Sequence, residues 1–342
     1  MKREFRILCM ILLALLVTTR GNAQTVYLPY ELGGIVARSF VENDFAALDG
    51  LAIKLRTEKS RTPSGLWNLS VFYSGLNTAM LEGRDENSDA QWNAIEKKMN
   101  QWVATRPLSP VAPIALAAAQ REHAWALRGN GFANTVTRKG WEDFARYLAV
   151  ARNTLEANKK ISSDDPQWYV EMLKVALALG WEKNQYMALY NEAASKEPLY
   201  YETYFAAVER LLPMWGGDIE QIQAFAADAV KRTASTEGQG MYARIYWVVV
   251  GRMGTKAFFA EPHKQTIWPQ MKAGFDDVVK RYPVDWNRNA YAKFACQTGE
   301  VDLFISLARQ FDGEPMETAW PRGYFQACKD NAAAVRPGNP LR

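Results

Sequence analysis

The chain is poor in the residues that most often hold metals or attack bonds. Only two histidines and three cysteines occur in 342 residues. His123 and His263 stand far apart, with no paired Cys or carboxylate at ligand spacing around either. Glu122-His123 is not the HExxH arrangement that puts two ligands on one helical face. Metal and cofactor binding are therefore not expected, and His123 reads as a surface or capping histidine. No G-x-S-x-G elbow occurs, and no local motif assembles Ser, His and Asp. Acids such as Glu202 and Glu209 fall two helical turns apart and could line a groove, but isolated acids on amphipathic helices read first as solvated faces. An enzyme is the less favoured class.

A surplus of one charge is also missing once the first residues are set aside. The whole chain carries 41 Lys+Arg against 37 Asp+Glu. Lys2, Arg3, Arg6 and Arg20 oppose only Glu4 in the first 23 residues, so the remainder holds 37 against 36. Scattered, balanced charge gives no nucleic-acid footprint, which needs clustered Lys and Arg. Apolar runs are scarce too. The single long one, Ile7 to Val17, follows three basic residues and precedes Gly21-Asn22-Ala23 and Gln24, the layout of a secretory signal peptide. An uncleaved anchor is the competing reading, but the run is short for a bilayer span. Residues 1–23 are thus expected to be a signal peptide that directs the chain to the periplasm or outside. No membrane insertion is expected after its removal.

Of the cysteines, Cys9 lies in the leader, which leaves Cys296 and Cys328. In an oxidising compartment they either pair, closing a loop worth about 3–4 kcal/mol on chain-entropy grounds, or remain free buried thiols. Both readings stand open.

What the sequence has in abundance is helical periodicity from Phe45 onward. Phe45, Leu48, Leu51 and Leu55 share one face; Leu69, Phe72, Leu76 and Ala79 share another. Trp92, Ile95, Met99 and Trp102 keep 3-4-3 spacing behind Ser88-Asp89-Ala90-Gln91, which has the form of a capping box. Ser109-Pro110 and Asp165-Pro166 place a cap residue before a first-turn proline. Two stretches could be strands: Thr25 to Tyr30, which reads as an extended arm, and Ile245 to Val250, which its helical neighbours turn into a helix.

Beyond Pro166 the helices come in pairs that turn at Gly180, at Gly216 and, in a shorter pair, at Gly299. A third pair begins near Met241 with an insertion around Phe258 to Ile267. Leu177 to Leu211 spans 34 residues, Tyr190 to Phe225 spans 35, and Gly180 to Gly216 spans 36. That period is the tetratricopeptide one, although Tyr186 occupies a position usually small. The expected architecture is all-α, stacked antiparallel helix pairs in an α-solenoid. Its regions are a leader (1–23), an N-terminal helical region (24–160), helix-pair repeats (161–313) and a C-terminal helix with tail (314–342).

The phrases "SGLWNLSVFYSGL" (64–76), "AWALRGNGFANTV" (124–136), "DPQWYVEMLKVAL" (165–177), "YYETYFAAVERLLPMWGG" (200–217) and "NAYAKFACQTGE" (289–300) resemble those of an exported bacterial family whose shared domain has no assigned function. The resemblance covers roughly residues 40 to 325. It implies a helical-repeat fold and carries no catalytic residues with it.

Two local features invite a functional reading. Arg128-Gly129-Asn130-Gly131 offers only G-x-G after a helix, where a phosphate cradle needs three glycines after a strand. Gly129 reads better as a left-handed helix cap. Arg121, Trp125 and Arg128 form one stripe at i, i+4 and i+7, with Asn130 and Asn134 nearby. Two guanidiniums flanking an indole suit a carboxylate, sugar or peptide. The favoured alternative buries Trp125 in the core and lets the arginines snorkel to water. Trp181, Trp215 and Trp247 recur near helix ends, where packing explains most of them. The function expected is non-catalytic binding of a peptide, protein or envelope component on a concave face. An envelope glycan- or peptide-processing enzyme and a structural spacer are the alternatives.

Overall fold

The computed structural model describes residues 29–336 apart from Arg84, Glu86, Asn87 and Asn130. The expected signal peptide and Asn130 lie outside the described residues. These residues contain seventeen α-helices and no strand; one isolated bridge joins Arg61 to Trp67. The first four are α1 (Pro29–Val41), α2 (Phe45–Glu58), α3 (Asn68–Leu81) and α4 (Asp89–Thr105). Next come α5 (Val111–Arg128), α6 (Arg138–Ala157) and the short α7 (Lys159–Ser162). The pairs expected beyond Pro166 follow: α8 (Pro166–Ala178) with α9 (Lys183–Lys196), and α10 (Glu202–Val208) with α11 (Ile219–Glu237). In the third pair α12 (Gly240–Met253) and α14 (His263–Arg281) flank the inserted α13 (Lys256–Phe259). Then come α15 (Asp285–Gln297), α16 (Val301–Ala308) and α17 (Tyr324–Val335).

Helix starts follow the cap chemistry in the sequence. Ser88 Oγ accepts from the Gln91 amide, and Asp165 accepts from the Gln167 amide ahead of Pro166. Ser109 Oγ accepts from the Ala112 amide at 3.0 Å. Ile245 to Val250 lies inside α12, because Ile245, Tyr246, Val249 and Val250 all bury on helical spacing. One expectation fails at the front. Helix α1 includes Pro29 and Tyr30, so the expected arm Thr25 to Tyr30 is contradicted at its end, and its residues 25–28 lie outside the described residues; Leu32, Val36 and Phe40 anchor the helix.

The same alternation links the two halves. Helices α3, α5, α8, α10 and α12 pack side by side as an inner row, with α4, α6, α9, α11 and α14 outside them. Inner helices are wrapped on nearly every side, so α8 buries ten of its thirteen residues. Outer helices bury one stripe only; α6 keeps Phe144, Leu148, Ala151 and Leu155 inside on 3.6-residue spacing. Tyr186 fits the repeat despite its size, because its hydroxyl donates to the Ala206 carbonyl at 2.9 Å across the α9–α10 crossing. At the far end Cys296 and Cys328 are bonded, with Cα atoms 5.9 Å apart, tying α17 to α15.

Candidate functional site: the inner cleft

The inner row leaves a cleft of about 780 Å³ between its helices. Its walls are side chains at helical spacing on five elements: Tyr73 and Asn77 on α3, Arg121 and Trp125 on α5, Glu171 and Lys174 on α8, Glu202 and Phe205 on α10, and Arg252 on α12. Trp215, on the turn after α10, completes the aromatic lining. A smaller recess of about 550 Å³ lies between α1 and α3 and shares Ser70, Ser74 and Glu202 with the cleft.

Electrostatics on the α5–α8 wall centre on Glu171. Its Oε2 accepts from Arg121 Nε at 2.9 Å; its Oε1 accepts from Lys174 Nζ at 2.9 Å and from Gln167 Nε2 at 3.1 Å. Burial alone would raise this carboxyl, but the Arg121 and Lys174 charges and their hydrogen bonds outweigh it and hold it at about 2. Arg121 also bonds Glu122 at 2.7 Å. Burial opposes its charge, yet the two carboxylates raise it above the ordinary guanidinium value. Across the cleft Arg252 Nε donates to Glu209 at 2.7 Å. Glu202 takes part in no ion pair among the described residues. Burial raises its carboxyl, countered in part by the Lys174 charge and a Ser70 hydrogen bond.

Below this layer Tyr73 donates to Asp165 Oδ2 at 2.8 Å, and Tyr200 donates to the Gln167 side-chain Oε1 at 2.7 Å. Burial pushes Asp165 up to about 6, in spite of the Tyr73 hydroxyl, the Gln167 amide and the Arg56 charge.

The residues singled out in the sequence separate here. Arg121 and Trp125 line the cleft, whereas Arg128 and Asn134 are not among its lining residues. Arg121 does not snorkel: it is 7% exposed, because α8 packs over it and brings Glu171 as counter-ion. Trp125 is half-buried, edge-on to Phe144. Arg128 lies over both Trp125 and Trp141, 5.3 and 4.8 Å from the ring centroids, and donates to the Gly129 and Gly131 carbonyls. Asn134 is exposed on the 3-10 turn Ala133–Thr135. Gly129 ends α5 with φ 79° and ψ 167°; positive φ is as expected, but the chain leaves extended and not left-handed helical. Among the recurrent tryptophans Trp215 faces the cleft. Trp181 carries Arg152 at 5.1 Å, and Trp247 packs on Trp286.

One reading is corrected. His123 is not a surface residue: it is 2% exposed, stacked on Trp92 at 4.6 Å and hydrogen-bonded through Nδ1 to Glu96 at 2.6 Å. The His123 face of α5 is covered by α4 and α6, so the ring does not reach water. Glu202 and Glu209 are half-buried and take the groove position offered beside the solvated-face reading, since both line the cleft. Sequence reasoning missed Gln167, Glu171 and Lys174. Their signal was a polar stripe at i, i+4 and i+7 on a helix whose other faces are apolar. Among the described residues no group of three His, Cys, Asp or Glu side chains is placed to hold a metal, and no helix is long and apolar enough to cross a membrane. No family model, curated protein or solved structure matches the chain.

Proposed function

We propose that the protein is an exported, non-catalytic binding protein whose inner cleft holds an extended peptide segment. One observation carries this reading: five inner helices turn polar and aromatic side chains into a single open cleft of about 780 Å³, within the size range of ligand sites. Trp125, Phe205 and Trp215 offer broad apolar faces, and aromatic residues dominate interface energetics. The paired charges between them present preorganised hydrogen-bonding groups to a backbone.

An acid–base enzyme of this kind would need both members of a carboxylate pair free to act. Glu171 and Glu202 sit on opposite sides of the ordinary carboxylate value, the pattern of an acid–base pair. Both oxygens of Glu171 are already engaged by Arg121, Lys174 and Gln167, which leaves it no role toward substrate. The pairing favours binding over hydrolysis. Export rests on the basic, apolar and small-residue layout of residues 1–23 and on the bonded cysteines, which suit an oxidising compartment.

The test is retention of synthetic octapeptides from a random-sequence pool, read by mass spectrometry after equilibrium dialysis. A Trp125→Ala/Trp215→Ala variant with unchanged circular dichroism serves as the comparison. Peptides enriched by the parent and lost by the variant are expected; equal retention by both would remove the cleft from the proposal. Edman sequencing of protein from fractionated cells should begin at Gln24, and a cytoplasmic chain starting at Met1 would reject export.

A further inference from the structure

We infer that the peptide held in the cleft brings a lysine ammonium, which seats against the Glu202 carboxylate. This rests on the reading of the cleft as a peptide site and names the chemistry that the site selects. The cleft wall carries four carboxylates, Glu122, Glu171, Glu202 and Glu209, against three cations, Arg121, Lys174 and Arg252. All three cations are committed: Arg121 to Glu122 and Glu171, Lys174 to Glu171, and Arg252 to Glu209. Glu202 is the carboxylate left over: it lies near Ser70, whose hydroxyl donates to the Trp67 carbonyl at 2.8 Å.

Position makes that surplus available to a ligand. Glu202 lines both the cleft and the adjoining recess, so it stands where the two cavities meet. Phe205 lies three residues further along α10 on the same face and lines the cleft too. Tyr73 lines the same cleft from α3. An unpaired carboxylate in a cleft that also carries aromatic rings suits an ammonium, which gains from the opposite charge and from the ring faces. The four-carbon stem of lysine would lie along those rings with its charge at the end. Burial works against the lone carboxylate, and an incoming ammonium removes that cost by supplying the missing counter-ion.

The deciding experiment is calorimetric titration of the full protein with an octapeptide enriched from the pool. The peptide is made with lysine, with Nε-acetyl-lysine and with norleucine at one position. Lysine is expected to bind at least tenfold more tightly than the other two. Glu202→Gln should abolish that preference while keeping the affinity for the acetylated peptide. Glu314→Gln, which removes the same charge from an exposed loop, should leave the preference intact. Equal affinity for the three peptides, or a preference that survives Glu202→Gln, would overturn the inference while leaving peptide binding standing. Failure of every peptide to bind would take both proposals down. Spermidine is the second source of the same ammonium chemistry. If it binds through Glu202 and lysine peptides do not, the ligand is a polyamine and the peptide assignment is wrong. Because the three peptides are compared first on the unmodified protein, the lysine preference itself is tested without any variant.

Discussion

Two loops of similar composition have opposite fates. Ser60-Arg61-Thr62-Pro63-Ser64-Gly65-Leu66 joins α2 to α3, and Gly129 to Thr137 joins α5 to α6. Each places a positive-φ glycine and hydroxyl side chains between two helices, with an arginine inside the first loop and another, Arg128, on the last residue of α5 just before the second. In the first loop the Ser64 carbonyl accepts from Arg244 at 2.7 Å and from Asn287 at 3.3 Å, on helices about two hundred residues away. Arg61 donates to the Gly65 carbonyl at 2.6 Å, lies over Tyr201 and approaches Glu237, which in turn accepts from Tyr282 at 2.9 Å. At the second loop Arg128, the last residue of α5, donates to the Gly129 and Gly131 carbonyls of its own turn, and Phe132 stands 85% exposed. Glycine and arginine mark a turn in both sequences; what differs is whether a distant helix meets it. The first loop joins the N-terminal helices to the third and fourth pairs, a contact that a nearest-neighbour solenoid does not need.

The sharpest way to break this contrast is to add a side chain to each glycine. At Gly65 (φ +97°) a Cβ would stand 2.6 Å from the Tyr282 ring and 2.7 Å from the Arg244 guanidinium. Backbone strain and overpacking combine there, so Gly65→Val should cost about 4 kcal/mol or more, or prevent folding. Urea denaturation measures this, and a loss below about 1 kcal/mol would mean the loop is not docked as described.

Next in size is the titration of the buried floor under the cleft. Asp165 has a folded value of about 6, above its ordinary value of 3.8. Its protonated form is thus favoured by folding, and the stability it contributes is fully present below about pH 4 and lost as pH rises through 6. A raised value of this size corresponds to about 3 kcal/mol between those limits. Glu171 acts in the opposite sense, and only in stronger acid. Its stabilisation is present above its ordinary 4.5 and lost as pH falls toward 2. Denaturation midpoints should therefore rise from pH 7 to about 4.5 and fall below it, and Asp165→Asn should flatten the first limb. An unchanged first limb in that variant would assign it to other groups.

Arg244→Met comes third. It removes the Ser64 contact but fills most of the volume, so a loss of about 1–3 kcal/mol is expected, the cost of leaving a buried carbonyl with a weaker partner. Amide exchange at Leu66 and Asn68 should speed up with it. Unchanged exchange would place the loop's stability in its own internal bonds, such as Thr62 N to Leu66 O at 2.7 Å.

These outcomes bear on how far a sequence can be read. Helix pairing beyond Pro166, the cap residues Ser88 and Asp165, and α12 in place of a strand were all visible, because each depends on spacing within about 35 residues. Helix α1 was missed because its apolar stripe, Leu32, Val36 and Phe40, is interrupted by Gly33 and Gly34; those glycines line the recess where α1 lies against α3. In the cleft, Arg121 and Trp125 were visible as a stripe on one helix. Gln167, Glu171 and Lys174 were not, because their meaning lies in facing a different helix, and Glu202 was visible only as an acid that could line a groove. The same limit hid the role of Gly65 and drew attention to Gly129.

The smallest effects belong to that second loop and test the contrast from its weak side. Gly129 has φ +79°, and a Cβ there would meet nothing within 4 Å. Gly129→Ala should therefore cost only the backbone penalty of a positive-φ extended conformation that favours glycine, about 1–3 kcal/mol with no overpacking added. Arg128→Ala should cost about 0.5–1 kcal/mol, the value of a partly exposed cation over an indole. If Arg128→Ala instead destabilises the protein as much as Arg244→Met, the stacked Arg128 would be holding α6 to α5 through Trp125 and Trp141, and the two loops would differ in reach but not in strength.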